Sequence, residues 1–148
     1  MRHIFIWIVT LATCLPASLS ADGYTGNIKV RTLMKTDTTS VGQRVHYPDI
    51  DSAEVTAIEV EIPPGGETGW HRHPVPGYGY ILEGELTLET EDGRAFVFSA
   101  DSDHRAFAEV VKVRHNGRNL GKKPVKLIAF FTGQKGKAFT EKVEAPKR

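Results

Sequence analysis

The chain has 148 residues, with 19 Lys plus Arg against 18 Asp plus Glu, six His, one Cys, 40% hydrophobic residues and 25% charged residues. These values describe one ordinary globular domain and exclude a strongly basic nucleic-acid binder and a disordered chain. A lone Cys forms neither an intramolecular disulfide nor a thiolate metal cluster, so metal chemistry would fall to His and carboxylates.

In chain order, Met1-Arg2-His3 is a short basic start, and Ile4 to Leu15 carries no charge over 12 residues. That run is shorter than the roughly 20 residues needed to span a bilayer as a helix. Pro16 to Ser20 supplies small residues for a peptidase. Residues 1–20 are therefore predicted to be a cleaved secretory signal peptide, with a periplasmic or secreted product of about 128 residues and no membrane association after cleavage. Leu11-Ala12-Thr13-Cys14 also resembles a lipoprotein box, which would place a lipid on Cys14.

Residues 21–52 read as an N-terminal arm with the first strands. Asp22 to Asn27 is polar and Gly-rich, Lys29 to Thr36 alternates like a strand, and Asp37 to Gly42 reads as a turn. Residues 53–133 read as the core. Ile58, Val60 and Ile62 alternate with Glu59 and Glu61, which predicts a half-buried strand over Ala53 to Ile62, ended by Pro63-Pro64-Gly65-Gly66. Gly79 to Leu82 and the Leu86/Leu88 alternation predict strands on either side of Glu83-Gly84. Glu91-Asp92-Gly93 predicts a hairpin turn, with Ala95 to Phe98 returning. Ser99 to Asp103 is a polar excursion. Ala106 to Val113 reads as a strand, Asn116-Gly117 as a turn, and Val125 to Thr132 as a long apolar strand. Gly133 to Gly136 turns the chain. Residues 134–148 form a last strand or basic tail. Six to nine short strands without a helical period predict an all-β sandwich or barrel.

Charge is unevenly spread. Asp49 to Asp103 holds 13 acids and two bases, whereas Lys112 to Arg148 holds 11 bases and two acids. Acidic and basic strands pairing within one fold would explain this. A basic rim steering an anionic ligand is the alternative.

The most informative stretch is Trp70-His71-Arg72-His73. On a strand, His-x-His puts both imidazoles on one face and Arg72 on the other. Two neutral imidazoles on one side suit a borderline divalent ion. Gly65-x5-His71-x-His73, followed by Tyr80-Ile81-Leu82-Glu83-Gly84-Glu85-Leu86, resembles the first motif of the cupins. His115-Asn116-Gly117-Arg118-Asn119 resembles the end of the second, with Gly121, Pro124 and the apolar strand Val125 to Phe131 after it. The resemblance covers Val55 to Gly133. It implies a small single-domain cupin, that is, a jelly-roll β-barrel (double-stranded β-helix) of the RmlC-like type.

The resemblance further implies that His71, His73 and His115 are metal ligands for a divalent transition metal such as Fe, Mn, Ni, Zn or Cu. His104 competes with His115, because counting back from it puts Gly93 at the motif start. No Asn follows three residues later, so His115 is preferred and His104 is assigned to the surface. His46 is also assigned to the surface. Two departures stand out. The Glu expected four or five residues after the second His is replaced by Gly77 and Tyr78, and the usual Pro-x-Gly before the second-motif His is replaced by Val110 and Lys112. Glu109, six residues before His115, is a candidate fourth ligand. Tyr78, Tyr80 and Phe107 are candidate pocket residues, with plain core packing as their alternative, and Trp70 is assigned to packing.

Two functions fit this reading. One is a metal-dependent enzyme on a small molecule, of the non-haem oxygenase or isomerase type. The other is a non-catalytic cupin that binds a small anionic or sugar-like molecule. A homodimer is implied by the resemblance and by the need to cover sheet edges.

Overall fold

A computed structural model describes residues 28–147. The chain divides into Met1–Arg31 and Thr32–Arg148, and the fold below is that of the second unit. The predicted signal peptide (residues 1–20), Cys14 and the Asp22 to Asn27 stretch lie outside the described residues.

Two antiparallel sheets face each other. Strand β1 spans Ala53–Ile62, β2 His71–Arg72, β3 Gly77–Glu83, β4 Glu85–Thr90 and β5 Ala95–Ser99. A 3-10 turn at Asp103–Arg105 precedes β6 (Ala106–Ala108), β7 (His115–Arg118), β8 (Val125–Gln134) and β9 (Glu141–Lys142). One sheet has the order β1-β8-β3-β6 and the other β5-β4-β7-β2-β9. This is the predicted all-β sandwich. Among the described residues no helix is long and apolar enough to cross a membrane.

Alternation builds the core. On β8, Val125, Leu127, Ala129 and Phe131 face inward, in register with Ile62, Val60, Ile58 and Thr56 of β1. Leu86 and Leu88 of β4 and Phe98 of β5 meet them from the opposite sheet. The rings of Phe98 and Phe107 stack at 4.1 Å between centroids. Burying such side chains contributes roughly 1.5–3 kcal/mol each. The charge split also resolves within the fold. Lys126 reaches Glu61 and Glu83, Arg118 reaches Glu67 and Glu89, and Arg114 holds Glu91 at 2.6 Å, each joining the basic end to the acidic middle.

Three expectations need correction. Residues 29–36 form no strand, because among the described residues none pairs with them in a ladder and Leu33 is exposed. The strand predicted over Ala106 to Val113 stops at Ala108, and Lys112 adopts φ 60°. The chain leaves one sheet there and enters the other. Asn116-Gly117 is no turn but the middle of β7. Asn116 donates to the Glu67 carboxylate at 3.0 Å and accepts from Thr68 Oγ1, which ties it across the sheet. Gly117 lies against Leu86 and Thr68, so its missing side chain permits close approach rather than a turn.

Candidate metal centre

Strand pairing brings the three histidines together. His71 on β2 stands directly opposite His115 on β7. His73 lies two residues further along, on the same face, in a parallel bridge with Val111. The ring centroids are 4.3 Å apart for His71 and His115, and 5.0 Å apart for each pair involving His73. One donor atom from each residue lies within 4.8 Å of the others, a grouping that converges on a common point and could hold a metal ion. Arg72 points away and pairs with Glu141 at 2.6 Å.

Each ring is fixed in the same way. Nδ1 of His71 donates to the Gly69 carbonyl at 2.7 Å, Nδ1 of His73 to the Phe139 carbonyl at 2.9 Å, and Nδ1 of His115 to the Val113 carbonyl at 2.9 Å. A carbonyl only accepts, so each Nδ1 carries the proton and each Nε2 keeps a free lone pair. Metal-ligating imidazoles are oriented by such outer hydrogen bonds. Burial adds to this by disfavouring the charged ring. It pushes His115 down to about 3 and His73 to about 4, and it lowers His71 as well. The three rings are therefore neutral at pH 7, the form a cation requires.

The histidines line a cavity of about 70 Å³ between the sheets. Its walls are apolar, with Ile58, Val60, Leu88 and Phe131 among them, and its polar lining comes from the three histidines, Thr68 and Glu109. Glu109 is 7% exposed, and its Oε2 has no hydrogen-bond partner. Desolvation raises its carboxyl from 4.5 to about 7. The sequence placed Glu109 near His115 through a shared strand face. In the structure Glu109 follows directly after β6 of one sheet, His115 lies on β7 of the other, and both line the cavity. A buried carboxyl without a partner, beside three oriented neutral imidazoles, fits a cation.

The aromatic candidates sit elsewhere. Gly77, Gly79 and Ile81 are the inward residues of β3, so Tyr78 and Tyr80 face out of the barrel. Tyr78 donates to the Tyr47 hydroxyl at 3.0 Å, and Tyr80 accepts from Arg105 at 3.2 Å. Phe107 is a core residue lying over Gly79. None of the three lines the cavity at the histidines. His104 and His46 are exposed, away from the cluster, as their assignment to the surface required.

A family of known proteins matches this arrangement. The cupin domain family matches residues 58–131, half of the chain, and that span includes all three histidines and Glu109. The chain is a cupin. Solved structures with the same fold include the DMSP lyase DddQ from Ruegeria pomeroyi, 18% identical with TM-score 0.51, covering 64% of this cupin and 45% of the lyase. A cupin domain from Bordetella pertussis is 25% identical with TM-score 0.47, covering 68% of this chain and 98% of that one. Oxalate decarboxylase from Lactobacillus farciminis is 19% identical with TM-score 0.49, covering 67% and 33%. This cupin thus spans under half the length of the lyase and the decarboxylase. Among curated proteins there is no match.

Two supports of the site had no sequence signal. Thr68 receives the Gly117 N–H at 2.9 Å and lies 3.4 Å from His71 Nδ1. Phe139 is the second. Its carbonyl holds His73, its ring stacks on Phe131 at 4.8 Å, and the strand just after it, β9, pairs with β2 at His71 and Arg72. This segment lies beyond the matched family span. Phe139→Ala is expected to loosen it, weakening divalent-metal binding about tenfold, within the range for outer-shell changes. Chelator competition on the purified variant measures this, and unchanged affinity would show that the segment does not orient His73.

Proposed function

We propose that this cupin is an exported metal-binding protein whose ion is held by His71, His73 and His115, and that it acts on a small molecule as a non-haem oxygenase-like enzyme. The convergence of three Nδ1-anchored imidazoles on one cavity carries the reading. A bound divalent first-row ion would supply Lewis-acid activation of a ligand or of O₂ at positions the protein leaves open. The chain's own part is to hold the imidazoles neutral and oriented and to exclude water with an apolar wall. The narrow cavity admits a compact substrate or the tip of a longer one. Export rests on the layout of residues 1–20.

The exposed side chains Val55, Phe130 and Tyr47 lie on or beside the outer face of the β1-β8-β3-β6 sheet, and they support pairing with a second copy. The second functional reading, a cupin that binds a small anionic or sugar-like molecule without turning it over, is favoured by Gly77 standing where the family's Glu is usual.

The test is elemental analysis of protein purified without added metal, followed by O₂ uptake with a panel of phenols and diketones. A stoichiometric first-row metal that is absent from His71→Ala, together with metal-dependent uptake, is expected. Metal-loaded protein that consumes no O₂ across the panel would favour the binding reading, and protein that takes up no metal would overturn the metal centre itself.

A further inference from the structure

Position 77 carries no side chain, and the reason lies across the strand pair. Glu109 N–H donates to the Gly77 carbonyl at 2.8 Å, which extends the β3–β6 ladder by one step, so residue 109 sits opposite residue 77. Both face inward. A Cβ built on Gly77 would fall 2.5 Å from the Phe131 ring and 3.2 Å from Glu109 Cγ. The Phe131 ring therefore blocks a side chain at 77, and Glu109 Cγ narrows the same space.

From this we infer that the carboxylate of the metal pocket has moved one strand sideways, from position 77 to Glu109, and that Glu109 is the fourth protein ligand of the ion. The inference rests on the three-histidine centre proposed above. Three neutral imidazoles leave the double charge of a divalent ion uncompensated in an apolar cavity, and a carboxylate there offsets it. Among the described residues no group hydrogen-bonds Glu109 Oε2. Burying a carboxyl without a partner is costly, and a cation in the same cavity supplies the partner. Gly77 then accompanies the Phe131 ring and the relocated acid rather than marking loss of the site.

Titration of metal-stripped full-length protein with Co(II), followed by its visible absorption and by chelator competition, tests this without reference to turnover. Wild type is expected to bind one Co(II). Glu109→Gln, nearly the same size but uncharged, is expected to bind on the order of a hundredfold or more weakly with an altered visible spectrum, beyond the roughly 10–100-fold range of outer-shell changes. Glu109→Asp, one methylene shorter, should resemble it. Metal-free Glu109→Gln should unfold at or above the wild-type temperature, because Oε2 has no protein partner to lose. Wild-type affinity and spectrum in Glu109→Gln, with binding still abolished in a histidine variant, would overturn the relocated ligand while leaving the three-histidine centre standing. Absence of Co(II) binding by wild type would overturn both. Metal-free Glu109→Gln that melts well below wild type would make Glu109 a structural group and overturn the inference.

Discussion

His115→Ala is expected to abolish stoichiometric divalent-metal binding while the barrel stays folded. His115 is 2% exposed, its ring lies 4.3 Å from that of His71 and 5.0 Å from that of His73, and it stands opposite His71 across the β2–β7 pair. Removing an outer hydrogen bond typically costs 10–100-fold in metal affinity. Removing a first ligand should cost more, leaving two imidazoles and the inferred Glu109 carboxylate as an incomplete set. The same change deletes a buried ring, and the resulting cavity destabilises by about 2–3 kcal/mol. Part of that is returned at mildly acidic pH, since the ring is held neutral against its ordinary tendency to protonate. His104→Ala and His46→Ala should bind metal as wild type does, because both side chains are exposed and outside the cluster. Metal content by mass spectrometry together with far-ultraviolet circular dichroism decides the matter. A folded His115→Ala protein with full metal content would refute the assignment and reopen the case for His104.

The elements that were legible are those where alternation meets a single buried face. β1 keeps its predicted bounds because Glu59 and Glu61 can only face water while Ile58, Val60 and Ile62 face the core. The β4–β5 hairpin follows for the same reason, with Glu91-Asp92-Gly93 between the strands. The pairing of His71 with His73 was legible from period two. That His115 joins them depends on the β2–β7 register, which the family resemblance implied and strand periodicity alone does not reveal. Tyr78 and Tyr80 were misplaced because side-chain parity on β3 is set by Gly77 and Gly79, which offer no hydrophobic signal. Asn116-Gly117 was misread because turn propensity is local, whereas the bonds from Asn116 to Glu67 and Thr68 span nearly fifty residues of sequence. The carbonyls that orient the three rings are backbone groups, for which a sequence offers no letter.

Metal-stripped protein is expected to be most stable near pH 6.5 and to weaken as pH falls toward 4. His73 and His115 have folded values of about 4 and about 3 against an ordinary 6.5. Below 6.5 the unfolded chain therefore binds two protons that the folded protein refuses. Glu109 acts in the opposite sense. Its folded value of about 7 lies above the ordinary 4.5, so the folded protein keeps a proton that the unfolded chain releases. That contribution is present below 4.5 and is lost as pH rises through 7. Between about 4.5 and 6.5 the unfolded state thus holds a net excess of at least about one proton, to which the lowered His71 adds, and unfolding free energy should rise by about 1.4 kcal/mol per pH unit or more. Glu109→Gln removes the opposing proton and should steepen the slope by about the same 1.4 kcal/mol per pH unit. Exposed carboxylates such as Glu91 titrate alike in both proteins, so the difference between the two profiles isolates Glu109. Urea unfolding of metal-free protein at half-unit pH steps measures both. A flat wild-type profile would deny the histidines their buried neutral state, and a Glu109→Gln profile no steeper than wild type would deny that Glu109 is protonated in the empty cavity.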